Sequence, residues 1–169
     1  MILRSFKLKN IERRTEKYLQ EDKRNNIVND RVIKSVLVFV DEFFTDVDLN
    51  NLNEILSINK ADIRKITFCS GKNIEGIENA ISAKDFGLFG KFKRSMSGLN
   101  LDNNIDLIIN FTNNNSYVNN LISQLNRSFS VGIRNANSKI FDLIIEVEKN
   151  ELELFNIELE KYLRILKKI

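Results

Sequence analysis

From Val36 to Val40 the chain is apolar without a break, in the stretch Ser35-Val36-Leu37-Val38-Phe39-Val40. β-Branched residues dominate the run, which suits an extended backbone. A strand with one wet face alternates apolar and polar residues. This one does not, so both of its faces must be covered. Leu107 to Ile109, within Asn-Ile-Asp-Leu-Ile-Ile-Asn, repeats the pattern. Strands of this kind, separated by helical segments, imply a mostly parallel sheet between two helical layers.

The other elements follow from periodicity. Residues 2–26 contain no Gly or Pro and predict a helix. Its stripe of Leu3, Phe6, Ile11 and Tyr18 is interrupted by Lys7 and Arg14. Asp48 reads as the N-cap of a helix carrying Leu49, Leu52, Ile55 and Leu56. RKITFCSG is a second strand, ended by Gly71. SYVNNLISQLN supplies a helix through Val118, Leu121, Ile122 and Leu125, followed by the strands SFSVGIR and FDLIIEV. Asn150, with Glu153 three residues on, predicts a capping box for a last helix. Its apolar stripe runs through Leu152, Phe155, Leu159, Tyr162, Leu166 and Ile169. Residues 72–103 show no clear period.

Only about seven residues join the last two strands, and a parallel crossover ordinarily needs a dozen or more. The fifth strand is therefore expected to be antiparallel, or half of an edge hairpin. The expected fold is a three-layer α/β domain with a mostly parallel five-stranded sheet over residues 31–169. A basic helical arm precedes it over residues 1–30, and an amphipathic helix closes the chain.

Composition removes several chemistries. The 169 residues include no His and a single Cys, Cys69. Triads built on histidine are impossible, an internal disulfide is impossible, and zinc clusters lack their ligands. No apolar run is long enough to span a bilayer, and the N-terminus lacks the core of a secretory signal. These features predict a cytoplasmic protein needing no cofactor and no metal. Cys69, inside a strand, reads as a small buried residue rather than a nucleophile.

Charge is unevenly spread. Residues 1–35 hold ten Lys/Arg against five Asp/Glu, and residues 36–169 hold sixteen against eighteen. The basic excess is N-terminal and points to an anionic partner. A second basic stretch, KDFGLFGKFKRS, threads three phenylalanines between cations. Its G-x-x-G spacing is that of loops gripping RNA backbones in KH domains, but its flanks are aromatic rather than helical. Interleaved aromatics and cations can stack bases and neutralise phosphates. Lys7, Lys9, Arg13, Arg14, Lys91, Lys93 and Arg94 are the candidate nucleic-acid contacts.

In open α/β sheets ligands bind beyond the carboxyl ends of the strands. Asp41, Thr112 and Arg134 stand there and are the candidate ligand-edge residues. No phosphate-loop or dinucleotide glycine pattern accompanies them, and no catalytic residue is assigned.

KDFGLFGKFK and the run FDLIIEVEKNELELFNIELEKYLRILKKI, with IDLIINF and SVGI in the same order, carry a resemblance across nearly the whole chain. The chain resembles an uncharacterised family of small cytoplasmic Bacteroidetes proteins, a domain of unknown function. The resemblance implies a cytoplasmic α/β domain and brings no catalytic or ligand residue with it. The expected function is a non-enzymatic binding or adaptor domain that docks on RNA, on a ribonucleoprotein such as the ribosome, or on a protein partner. The alternative is a small enzyme or a nucleotide- or sugar-binding protein using the carboxyl edge of the sheet.

Overall fold

The structure, a computed structural model, describes residues 2–21, 32–44, 49, 51–71, 76–99, 101 and 104–169. Its centre is a sheet of six parallel strands: β1 (Val36–Asp41), β2 (Ile63–Cys69), β3 (Ala80–Ser82), β4 (Ile105–Asn110), β5 (Arg127–Ile133) and β6 (Leu143–Ile145). They lie side by side in the order β3-β2-β1-β4-β5-β6. The chain builds outward from β1 in one direction, returns, and builds outward from β4 in the other. That is the order of a doubly wound α/β sheet, with its switch point between β1 and β4.

Helices α1 (Ile2–Gln20) and α3 (Ser116–Gln124) cover one face; α2 (Leu52–Leu56) and α4 (Leu152–Ile165) cover the other. Every residue of Val36–Val40 is buried, as its unbroken apolar character requires. Leu37 and Phe39 point to the α1/α3 side, and Val36, Val38 and Val40 to the α2/α4 side. Asn115 caps α3, its Oδ1 accepting from the Tyr117 and Val118 amides at 3.0 and 3.2 Å.

The sheet has one strand more than the sequence predicts. β3 is three residues long and sits in the aperiodic segment, where so short an element leaves no period to read. A second correction concerns β6, which is parallel to β5, with Val131 opposite Leu143 and Ile133 opposite Ile145. Residues 134–142 make the crossover as tight turns instead of a helix. The amides of Ala136 and Ile140 donate to Ile133 O and Asn137 O, each at 2.9 Å. The segment folds flat against β5 because Gly132 has no side chain: a Cβ there would lie 2.5 Å from the Ala136 Cβ. A strand of three residues demands little rise from its crossover, so the short link suffices.

The helix predicted over residues 2–26 is described as far as Gln20, and residues 22–31 and Asp48 lie outside the described residues. In α4 the buried stripe is Phe155, Leu159 and Leu163, while Leu166 is exposed. Asn150 does not cap it. The N-cap is Glu151, whose Oε2 instead accepts from the Glu148 amide at 2.8 Å. No described helix is long and apolar enough to cross a membrane.

Candidate nucleic-acid interface

KDFGLFGKFKRS is the tip of a small hairpin. Phe86 and Phe92 form an antiparallel bridge, and both rings are buried, with centroids 5.0 Å apart. Gly87 to Gly90 make the turn: the Gly90 amide donates to Gly87 O at 3.0 Å, and the Gly87 amide to Lys91 O at 2.7 Å. Leu88 and Phe89, at the two central positions, are left exposed.

α1 holds this hairpin with a stripe of polar side chains. Lys7 donates from Nζ to Ala83 O. Asn10 Nδ2 donates to Leu88 O at 3.1 Å, and Arg14 Nε to Phe89 O at 2.9 Å. These positions recur at helical spacing on one flank of α1, so one helix turn after another clasps a loop carbonyl. The backbones also come unusually close. Gly90 has φ +75°, and a Cβ on it would lie 2.9 Å from Asn10 O and from Ile11 Cα. Both the left-handed conformation and the contact demand glycine.

The clasp brings together what the sequence separates. Lys7 and Arg14 are half-buried; Lys9 and Arg13 on the same helix are exposed, as are Lys91, Lys93 and Arg94 beyond the hairpin turn. Lys93 Nζ donates to Lys84 O at 3.2 Å, and Arg94 Nη1 to Ala80 O at 2.6 Å, which ties the hairpin to the edge strand β3. Burial holds the Lys7 ammonium below the usual lysine range; the charge of Lys93 lowers it further, and Asp85 opposes them. Lys7 and Lys93 therefore belong to one electrostatic neighbourhood. In its midst the Phe6 ring meets Phe89 edge to face, at 6.4 Å and 75°. Phe6 is 45% exposed and Phe89 68%. The sequence places Phe6 in the apolar stripe of α1 and Phe89 among the interleaved aromatics, and only the contact of α1 with the hairpin reveals them as a pair.

The candidate residues at the carboxyl edge are each held by a partner of their own. Asp41 accepts from Lys149 Nζ at 2.7 Å and from the Phe43 amide at 3.1 Å. Arg134 pairs with Glu148 at 2.7 Å and with Glu146 at 3.5 Å. Thr112 donates from Oγ1 to Asn110 Oδ1 at 2.7 Å and is absorbed into the loop that leads to α3. Each has a local structural partner.

A cleft of about 670 Å³ does open at this edge, on the α1 side. Arg4 and Lys7 of α1 line it, together with Phe68 and Ser70 at the end of β2, Lys84 after β3 and Tyr117 of α3. Burial raises the Tyr117 phenol above its usual range, and the charge of Arg4 works against that rise. The Cys69 thiol is buried nearby and pushed up, by burial first and then by Glu42. That is the opposite of what an activated nucleophile needs. Among the described residues no group of three or more Cys, Asp or Glu side chains could hold a metal ion.

A model for a family of unknown function (DUF6913) matches residues 7–166. The chain belongs to that family. The match takes in α1 from Lys7, the hairpin and the whole sheet. No curated protein and no solved structure matches the chain.

Proposed function

We propose that the protein is a non-enzymatic binding domain that docks on single-stranded RNA, free or within a ribonucleoprotein, through the α1–hairpin face. One observation carries the reading. Lys7 and Arg14 of α1 reach the hairpin that carries Lys91, Lys93 and Arg94, distant in the chain, and beside that contact Phe6 meets Phe89 with both rings exposed. Cations around the rim meet phosphates, and the rings offer stacking platforms that unpaired bases can use and paired bases cannot.

The structure also refines which cations to test. Lys7 and Arg14 hold the hairpin, so replacing them would confuse folding with binding. Lys9, Arg13 and Lys91 are exposed and can be changed cleanly. Changing all three to Gln should flatten the salt dependence of RNA affinity by about two units, at about 0.7 per lost phosphate contact on a single strand. Phe89→Ala should weaken a single strand by about 1–3 kcal/mol and leave duplex RNA nearly unaffected. Fluorescence anisotropy at several salt concentrations measures both. An unaltered slope in the triple variant, or no binding by the intact chain at low salt, would refute the proposal.

A further inference from the structure

The cleft beside this face has a mixed lining. Leu3, Leu8, Leu88 and Phe68 are its apolar groups and Arg4, Lys7 and Lys84 its cations; among the described residues no carboxylate lines it, while Asp85 acts on Lys7 from close by and Glu42 accepts from the Ser70 hydroxyl. Its volume of about 670 Å³ is that of a pocket for a whole small molecule rather than a bare ion. Inorganic phosphate would satisfy the cations and leave the apolar groups wet. A neutral apolar ligand would do the reverse and leave the three cations unused. The lining asks for a molecule with an anionic head and an apolar or flat body.

Lys7 Nζ lies 5.8 Å from the Tyr117 ring centroid and donates one N–H to Ala83 O, which leaves two further N–H donors on the ammonium. The amides at the start of α3 offer less than a bare helix end would, because Asn115 Oδ1 already takes those of Tyr117 and Val118. Anion recognition here therefore falls to side chains. Leu88 lines the cleft and adjoins Phe89, so the cleft and the exposed aromatic face share a rim.

From these features we infer that the cleft binds one nucleotide. Its phosphate meets Arg4, Lys7 and Lys84, and its base and sugar lie against the apolar groups. The choice of a nucleotide over other amphiphilic anions rests on the RNA reading above. The nucleotide is either a free nucleoside monophosphate or one residue of a strand lying across Phe6 and Phe89, and the chemistry is the same for both.

The test uses the full chain with uridine 5′-monophosphate, inorganic phosphate and a short single-stranded RNA. The nucleotide should shift the NMR amide signals of Ser116 and Tyr117, and inorganic phosphate should do so only weakly. Arg4→Gln combined with Lys84→Gln, both exposed positions, should weaken the nucleotide by at least about tenfold, since two charge-assisted contacts are lost. Tyr117→Phe keeps the ring's packing against Phe86 and Phe68 and reports whether the hydroxyl takes part. Unmoved Ser116 and Tyr117 signals at millimolar nucleotide, or unchanged affinity in the double variant, would overturn the inference. RNA bound through Phe89 with the nucleotide silent overturns the cleft alone and leaves the RNA reading standing. Nucleotide bound without RNA does the opposite and keeps the cleft as a free-nucleotide site. Competition between the two identifies the strand's own nucleotide as the occupant.

Discussion

The two faces of the sheet are sealed by different chemistry. On the α2/α4 side, Val36, Val38, Val40, Leu107, Ile109, Val131 and Ile133 meet Phe155, Leu159 and Leu163. This is mainly a contact of aliphatic and aromatic carbon held by burial, with the buried Lys168 ammonium 5.0 Å from the Phe129 ring centroid as a cationic exception. On the α1/α3 side, Leu37, Phe39, Ile66 and Ile108 also form a core, but polar groups penetrate the layer above it. Asn120, fully buried, donates from Nδ2 to Ile11 O and to Thr15 Oγ1, each at 3.2 Å, and accepts from Gln124 Nε2 at 2.9 Å. Arg127, 2% exposed, donates from Nη1 to Ile122 O at 3.0 Å at the end of α3 and from Nη2 to Ile140 O at 3.1 Å. The hairpin hangs from α1 by three side-chain-to-carbonyl bonds. A carbon face is robust and featureless. A polar face fixes orientation, because each donor has one correct partner. Both the candidate interface and the cleft lie on the polar side.

The comparison predicts different failures. On the carbon face the cost is volume. Leu159→Ala and Phe155→Ala, both fully buried, should each destabilise the fold by about 2–5 kcal/mol, seen in chemical denaturation. RNA affinity of the remaining folded protein should stay the same, because α4 is on the far side of the sheet. A melting temperature that does not move would mean that α4 does not seal this face. A change in RNA affinity without one would mean that the two faces are not independent.

The carbon face is also the part that the sequence discloses. Unbroken apolar runs announce the central strands, and helical spacing announces Leu52 and Leu56 as well as Phe155 and Leu159. Leu163 is missed by a stripe that runs through Tyr162 and Leu166, since both lie to the same side of it in the helical sweep. The polar face is less legible. Asn120 stands in an Asn-rich helix whose composition does not say which amide is buried. β3 is too short to have a period. The parallel setting of β6 depends on Gly132 admitting Ala136, a contact between segments that no spacing rule foretells. For the candidate site, the sequence identified the basic residues as two groups. It could not show that α1 and the hairpin join them, nor that Phe6 and Phe89 meet between them.

On the polar face, failure should come from lost hydrogen bonds more than from lost volume. Asn120→Ala removes the Nδ2 donor to Ile11 O and Thr15 Oγ1 and the Oδ1 acceptor of Gln124 Nε2, while Ile11 O keeps the Thr15 hydroxyl and Gln124 Nε2 keeps the Asn120 carbonyl. The expected loss is about 1–3 kcal/mol, the net worth of the buried hydrogen bonds removed. Asn120→Leu, which replaces the lost volume, should not recover it. Recovery by leucine would show that the α1/α3 contact is held by burial after all, and that the two faces are chemically alike.

The smallest effect tests how the polar face presents its surface. Arg14 donates from Nε to Phe89 O at 2.9 Å and from Nη1 to Tyr18 OH at 3.0 Å, at the rim where water competes. Arg14→Gln should therefore cost less than about 1 kcal/mol in global stability. Its local effect should be larger. With one of three clasps removed, the hairpin tip can separate from α1 without unfolding the sheet, since the buried Phe86–Phe92 pair and the bond from Arg94 to Ala80 O hold its base. Hydrogen exchange should then accelerate at the Gly90 amide, which closes the turn onto Gly87 O, while amides of β1 and β4 keep their protection. Phe89 would lose its fixed place beside Phe6, and a strand that stacks on it would have to restore the order on binding. RNA affinity should fall by more than the change in net charge accounts for. The matching control is Arg13→Gln, which removes the same charge from an exposed neighbour. Equal losses from the two variants would show that Arg14 acts only as a charge; a larger loss from Arg14→Gln, with faster exchange at Gly90, would show that the clasp positions the aromatic pair.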